Sequence, residues 1–303
     1  HYGTVHALDG LTLTVQSGTV FGFLGPNGAG KSTTIRLLTG LARPTAGQAW
    51  VAGEDISRSQ RVAARVGYLP EDPNFYTWMT PAELLDHVGR VFGLGAAQRK
   101  ARSGELLEQV GLAGVRKRRI GGFSRGMRQR LGLAQAMVNH PEVLFLDEPV
   151  SALDPAGRKE VLGMIEGLRG QCTVFMSTHI LADVERVCDR VGIINQGKLV
   201  VEANQAELVA GTSLPAFEVE VEPGDAPALA AWVGGLHAQP WLSNVTLTNG
   251  GSAARLVVKD VTAARRELLP LALGAGLALR RYEIVTPSLE DIFLRLVGQE
   301  GQA

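Results

Sequence analysis

The chain alternates short runs of apolar residues with longer stretches of helical periodicity. Thr19–Leu24 is continuously β-prone and reads as a buried strand. It runs into a glycine-rich loop and then an apolar helix predicted over Thr33–Leu41. Val66–Leu69, Glu142–Leu146 and Thr173–Met176 are further short apolar runs of the kind that fill a parallel sheet covered on both faces. Between Thr80 and Pro141 the pattern changes to successive helices, with Thr80 placed as a cap and Pro81 in a first helical turn. This predicts an α/β core with a helical insertion over about 80–141.

The character shifts again near Gly211–Pro215. Phe217–Glu222 alternates apolar and acidic residues as a half-buried strand does, and Ala226–Leu236 is Ala-rich and helical. Ser243–Thr248 and Ala254–Lys259 alternate on either side of Asn249-Gly250-Gly251, a hairpin turn signal. Val261–Ala272 reads as a helix, Arg281–Val285 as a strand and Ser288–Val297 as a closing helix capped by Thr286 or Ser288. The order βαββαβ predicts a small α+β, ferredoxin-like domain over 213–303, accessory or regulatory to a larger domain over 1–212.

Composition narrows the class. The 303 residues are 45% hydrophobic and 20% charged, and thirty basic residues balance thirty acidic ones. No basic surplus marks a nucleic-acid groove, so no nucleic-acid partner is expected. Cys172 and Cys188 lie in no Cys–His grouping, which excludes a zinc or disulfide framework and suits a reducing cytoplasm. No stretch reaches the ~18 apolar residues that cross a bilayer. Any membrane function therefore needs another chain. The sequence starts at His1, without Met or a signal segment, so a trimmed N-terminus is expected.

Gly25-Pro26-Asn27-Gly28-Ala29-Gly30-Lys31-Ser32, followed by Thr33, fits GxxxxGK[ST] between a strand and a helix. Glycines let successive amides face phosphate oxygens, and the helix behind presents its positive end to the same anion. Lys31 can reach the β- and γ-phosphates, and the Ser32 hydroxyl can ligate Mg²⁺. Val143–Leu146 leads into Asp147-Glu148-Pro149, which places two carboxylates at the carboxyl edge of the sheet, with an exposed Asp-Glu expected. Asp147 is the candidate Mg²⁺ partner, through water, and Glu148 the group that polarises the attacking water.

Between these motifs stands Phe123-Ser124-Arg125-Gly126-Met127, leading into the apolar helix Leu131–Val138. With it the chain resembles the ATP-binding subunits of ABC transporters, over about residues 1–210. The pentapeptide looks like a variant of the family's LSGGQ signature that keeps Ser124 and Gly126. Ser151-Ala152-Leu153-Asp154 looks like the D-loop, and Ser177-Thr178-His179 like the strand end that carries a switch histidine. The resemblance implies a P-loop NTPase core binding ATP and Mg²⁺, with Tyr2 stacked on adenine and His179 contacting the γ-phosphate. Ser124 and Gly126 would then clamp ATP held by Lys31 of a second, head-to-tail copy, most simply in a homodimer. A separate transmembrane permease would tie the chain to the cytoplasmic membrane face.

Two positions depart from the pattern. Pro70-Glu71 stands where many members carry Gln, which makes Glu71 a metal-site candidate. Met127 replaces the signature Gln. Pro70-Glu71 and the segment 286–293 resemble an export-type bacterial branch handling drugs, sodium, lipids or polysaccharides. A soluble ABC-type ATPase acting on ribosomes or nucleic acid is the alternative. Such proteins usually carry two nucleotide-binding units or a long coiled-coil insertion, and neither is seen in this sequence.

Overall fold

The computed structural model describes residues 3–57, 59–151, 153–204 and 215–285. Two compact units divide the chain, His1–Gln205 and Ala206–Ala303. The domain junction expected at 212–213 lies outside the described residues, as do Tyr2, Ala152 and the helix expected over Ser288–Val297.

The first unit begins with β1 (Val20–Leu24), whose five residues are all buried, followed by α1 (Lys31–Leu38). The helix ends two residues before Gly40, which takes the left-handed conformation (φ 76°) that closes helices. A small hairpin, β2 (Trp50–Val51) and β3 (Glu54–Asp55), precedes α2 (Ser59–Arg65) and β4 (Val66–Leu69). The helical insertion then supplies α3 (Pro81–Val91), α4 (Ala96–Gln109) and α5 (Arg125–Ala136). Thr80 and Glu83 form a reciprocal capping box at the start of α3, with Pro81 in its first turn as expected. The core resumes with β5 (Val143–Asp147), α6 (Pro155–Gly167), β6 (Thr173–Thr178), α7 (Leu181–Val187), β7 (Arg190–Asn195) and β8 (Lys198–Asn204).

These strands form one sheet in the order β4-β5-β6-β1-β7-β8, parallel except for β8. β1 lies between β6 and β7, so the glycine loop leaves the middle of the sheet at its carboxyl edge. Phe175 holds the centre together. It stacks on Phe21 at 5.5 Å between ring centroids and meets Phe23 and Phe145 at 5.2 and 5.7 Å. Burying such side chains stabilises by about 1.5–3 kcal/mol each.

The second unit contains β9 (Ala216–Val221), α8 (Ala226–Leu236), β10 (Leu242–Thr248), β11 (Ala253–Val258), α9 (Val261–Gly274) and β12 (Leu279–Val285). Its sheet runs β10-β11-β9-β12, antiparallel throughout, which is the ferredoxin-like arrangement expected from βαββαβ. Phe217, Val219 and Val221 pack with Leu229, Leu256 and Leu268 in its own core. The intervening Glu218 and Glu220 occupy the other face of β9, as the alternation required. Among the described residues no helix is long and apolar enough to cross a membrane.

One contact fixes the insertion to the sheet. Gly67 in β4 lies so close to α5 that a Cβ added there would collide with the Ala136 carbonyl oxygen. Gly67→Ala should therefore force backbone apart and destabilise the chain by about 1–3 kcal/mol. Urea unfolding of the variant against the parent chain measures this, and an unchanged midpoint would contradict the close approach.

Candidate functional site

Gly30 adopts φ 110°, a conformation that L side chains rarely take, and a Cβ there would sit 2.7 Å from the Ala7 carbonyl oxygen. This residue turns the chain from the loop into α1. The first intrahelical bond runs from Thr34 N to Gly30 O, so the amides of the preceding turn have no acceptor within the helix. Asn27 and Gly28 are exposed, Pro26 and Gly30 half-buried, and Gly25 and Ala29 buried against the core. Ser32 and Thr33 follow in the first turn.

Lys31 is 6% exposed. Its ammonium donates to the carbonyls of Gly25 (2.7 Å) and Pro26 (3.2 Å) and lies 3.4 Å from Glu148 Oε1. Ser32 Oγ donates to Asp147 Oδ1 at 3.1 Å, and Ser177 Oγ donates to the same oxygen at 2.6 Å. The amide of Glu148 in turn donates to Ser177 Oγ at 3.1 Å. Ser177 thus joins both acids, whereas the sequence placed it only in the strand end before His179, with no site role. Its signal was the Ser177-Thr178 hydroxyl pair that ends β6, with the strand register setting Ser177 beside Asp147.

The sequence led to an expectation of exposed acids after β5. Instead Asp147 and Glu148 are only 5% and 6% exposed. The reason is that partners from two other segments, Lys31–Ser32 at the start of α1 and Ser177 with His179 at the end of β6, close over them. Glu148 has φ 46°, an unusual backbone for a non-glycine residue that costs of order 1–3 kcal/mol and persists where the surroundings over-determine it. Its Oε2 faces His179 Nδ1 at 2.9 Å. A carboxylate only accepts, so Nδ1 carries the proton in this contact. The His179 side chain is 44% exposed, which leaves its other edge open to solvent. Glu148 Oε1 is buried and makes no hydrogen bond. Nearby on β4, Tyr68 has its phenol pKa raised, first by burial and then by the Asp147 carboxylate.

The remaining candidates lie apart from this cluster. Ser124 caps α5, accepting from Met127 N at 3.2 Å. A cleft of about 290 Å³ opens beside that cap, lined by Ser124, Arg125, Gly126, Leu153, Asp154 and their neighbours. Asp154 holds the N-cap position of α6 but makes no side-chain cap bond. Glu71 is exposed, two residues past the end of β4 at the same sheet edge as Asp147. Among the described residues no group of three or more His, Cys, Asp or Glu is arranged to hold a metal.

Comparison with known proteins places this geometry. Residues 8–151 match the ABC transporter family, and residues 212–297 match the DrrA1-3-like ATP-binding protein C-terminal domain. An ABC transporter ATP-binding protein of Bacillus subtilis is 40% identical, over 96% of this chain and 94% of its own. The daunorubicin resistance ATP-binding protein DrrA3 of Streptomyces coeruleorubidus is 36% identical over 99% of this chain and 93% of its own. The Nod factor export ATP-binding protein I of Paraburkholderia xenovorans is 37% identical over 99% and 95%. The solved structure of an ATP-binding subunit of an ABC transporter superposes with a TM-score of 0.64 at 29% identity, covering 69% of this chain and 88% of that one. The chain therefore belongs to the ATP-binding proteins of ABC transporters, and it is an ATPase of that family.

Proposed function

We propose that this chain drives export through a separate transmembrane permease, hydrolysing ATP at sites completed by a second copy of itself. The observation that carries the catalytic part is Glu148, a buried carboxylate held between Lys31 and His179 with one oxygen free of hydrogen bonds. ATP phosphates would lie against the amides of Gly28–Thr33, with Lys31 reaching the β- and γ-phosphates. Tyr2 would stack on the adenine. Glu148 Oε1 would take the proton of the attacking water, while the exposed edge of His179 meets the γ-phosphate.

The residues present suit Mg²⁺. Ser32 Oγ and Asp147 Oδ1 lie 3.1 Å apart, and a small hard cation takes a few protein oxygens together with phosphates and water. The ion would neutralise charge on the β- and γ-phosphates. Ser32 and Asp147 would hold it, with Glu71 as the further candidate at the same edge.

The cleft beside Ser124 includes none of the phosphate-loop residues. That supports a composite site, in which Ser124, Gly126 and Asp154 of one copy close on ATP bound by the other. The α5 N-terminus supplies partial positive charge for the γ-phosphate. Hydrolysis and release of the phosphate then remove the anion both copies share, and the pair opens. Relatives named for drug resistance and Nod factor export match nearly the whole chain and support export over ribosomal or nucleic-acid work. The second unit carries none of these residues, and we assign it an accessory or regulatory role. Docked on its permease, the protein would lie at the cytoplasmic membrane face.

Glu148→Gln is expected to keep ATP affinity, slow turnover by at least ~10²-fold and accumulate an ATP-bound dimer. Steady-state ATPase assays and size-exclusion chromatography with ATP measure both effects, and near-parental turnover would move the base elsewhere. Lys31→Ala should weaken nucleotide binding itself, read by titration with a fluorescent ATP analogue. Unchanged affinity would remove Lys31 from the phosphate site. Affinity isolation from solubilised membranes should recover a membrane-spanning subunit; recovery of ribosomes in its place would overturn the transport reading.

A further inference from the structure

A second ion pair, with its carboxylate buried and its guanidinium partly exposed, stands near the proposed catalytic carboxylate, and none of the motifs accounts for it. Asp183, in the first turn of α7, is 1% exposed. Its Oδ1 accepts from Arg158 Nε at 2.6 Å, and its Oδ2 has no hydrogen bond. Arg158 lies in the first turn of α6, where its amide donates to the Asp154 carbonyl. The pair therefore ties the start of α6 to the start of α7.

Following the contacts outward from this pair closes a ring. The Asp183 amide bonds to the Ile180 carbonyl, Ile180 adjoins His179, and His179 Nδ1 meets Glu148 Oε2. From Glu148 the chain enters a tight turn, with Ser151 N donating to Glu148 O and Leu153 N to Val150 O, and so arrives at Asp154 and Arg158. Every link in the ring is a covalent bond or a contact of 3.3 Å or less. Only one of the two side-chain links, His179–Glu148, belongs to the chemistry proposed above.

We propose that Arg158 and Asp183 are positioning residues that hold His179 against Glu148, and so couple the alignment of the base to the turn ending at Asp154. The inference rests on the reading of Glu148 and His179 given above. Without the pair, α6 and α7 keep the longer bond from Arg186 Nη2 to the Lys159 carbonyl at 3.5 Å, and the half-exposed loop of His179 loses its short brace to α6. Charge supports the same connection. Burial is the largest influence on the Asp183 carboxyl and raises its pKa, Arg158 opposes it, Glu148 adds to the rise and His179 counters it. The four groups share one local field. The buried Asp183 carboxylate is costly to keep out of water, and Arg158 offsets that cost from the start of α6.

The test is a double-mutant cycle in the full chain, reading kcat at saturating ATP separately from ATP affinity. Asp183→Asn keeps the shape and is expected to lower kcat roughly ten- to hundred-fold, the scale of a small misalignment, with ATP affinity unchanged. In a His179→Ala background the same substitution should cost nothing further, because its effect runs through His179. Arg158→Lys keeps the charge but not the fixed Nε geometry, and should behave as Asp183→Asn does. It also serves as the reading should Asp183→Asn not fold. Parental kcat in the single variants, or an equal fold-loss with and without His179, overturns the inference while leaving the site intact. If Glu148→Gln and His179→Ala themselves keep parental kcat, the site reading has failed and the inference with it.

Discussion

Two adjacent carboxylates, Asp147 and Glu148, are taken out of water at the end of β5, and the architecture around the loop is organised by their compensation. Removing one such charge from solvent costs several kcal/mol unless it is paired and hydrogen-bonded. Asp147 is met by two hydroxyls on one oxygen, one from α1 and one from β6. Glu148 is met by an ammonium, an imidazole and a strained but over-determined backbone. Charge-assisted hydrogen bonds contribute about 1.5–3 kcal/mol each, so the compensation is of the right size without being complete. Glu148 Oε1 has only the longer ion-pair contact with Lys31 and no hydrogen bond of its own.

This explains why the strand order matters more than any single motif. β5, β6 and β1 lie side by side, so their carboxyl ends deliver Asp147, Ser177 and the phosphate loop to one place. The loop's own signal is local, since glycine spacing and a following Lys-Ser can be recognised without knowing the fold. The acids' environment is not local. Lys31, Ser177 and His179 come from distant positions, so the pattern after β5 suggested exposure where the packed sheet imposes burial.

The same distinction runs through the rest of the chain. Alternation in β9, β10 and β11, the two helical stretches and the Asn249–Gly251 turn carried the topology of the described part of the second unit, because period and turn chemistry are properties of neighbouring residues. The start of α1 lay two residues earlier than the apolar pattern suggested, because Gly30 takes up the turn that frees Lys31 and Ser32 to join the helix. Arg158 and Asp183 gave no signal at all. They are 25 residues apart and meet only because α6 and α7 pack together.

The contact between Gly67 and Ala136 has a mechanical side. It pins one end of α5 to β4, while Ser124 stands at the other end, twelve residues and about 18 Å away along the axis. Between these ends the helix is held again: Gly132 lies so close to β4 that a Cβ would meet the Leu69 side chain at 2.6 Å, and Arg130 reaches Glu160 of α6. The helix is therefore clamped along its length, and the place of the Ser124 cap is tied to that of β4 and α6.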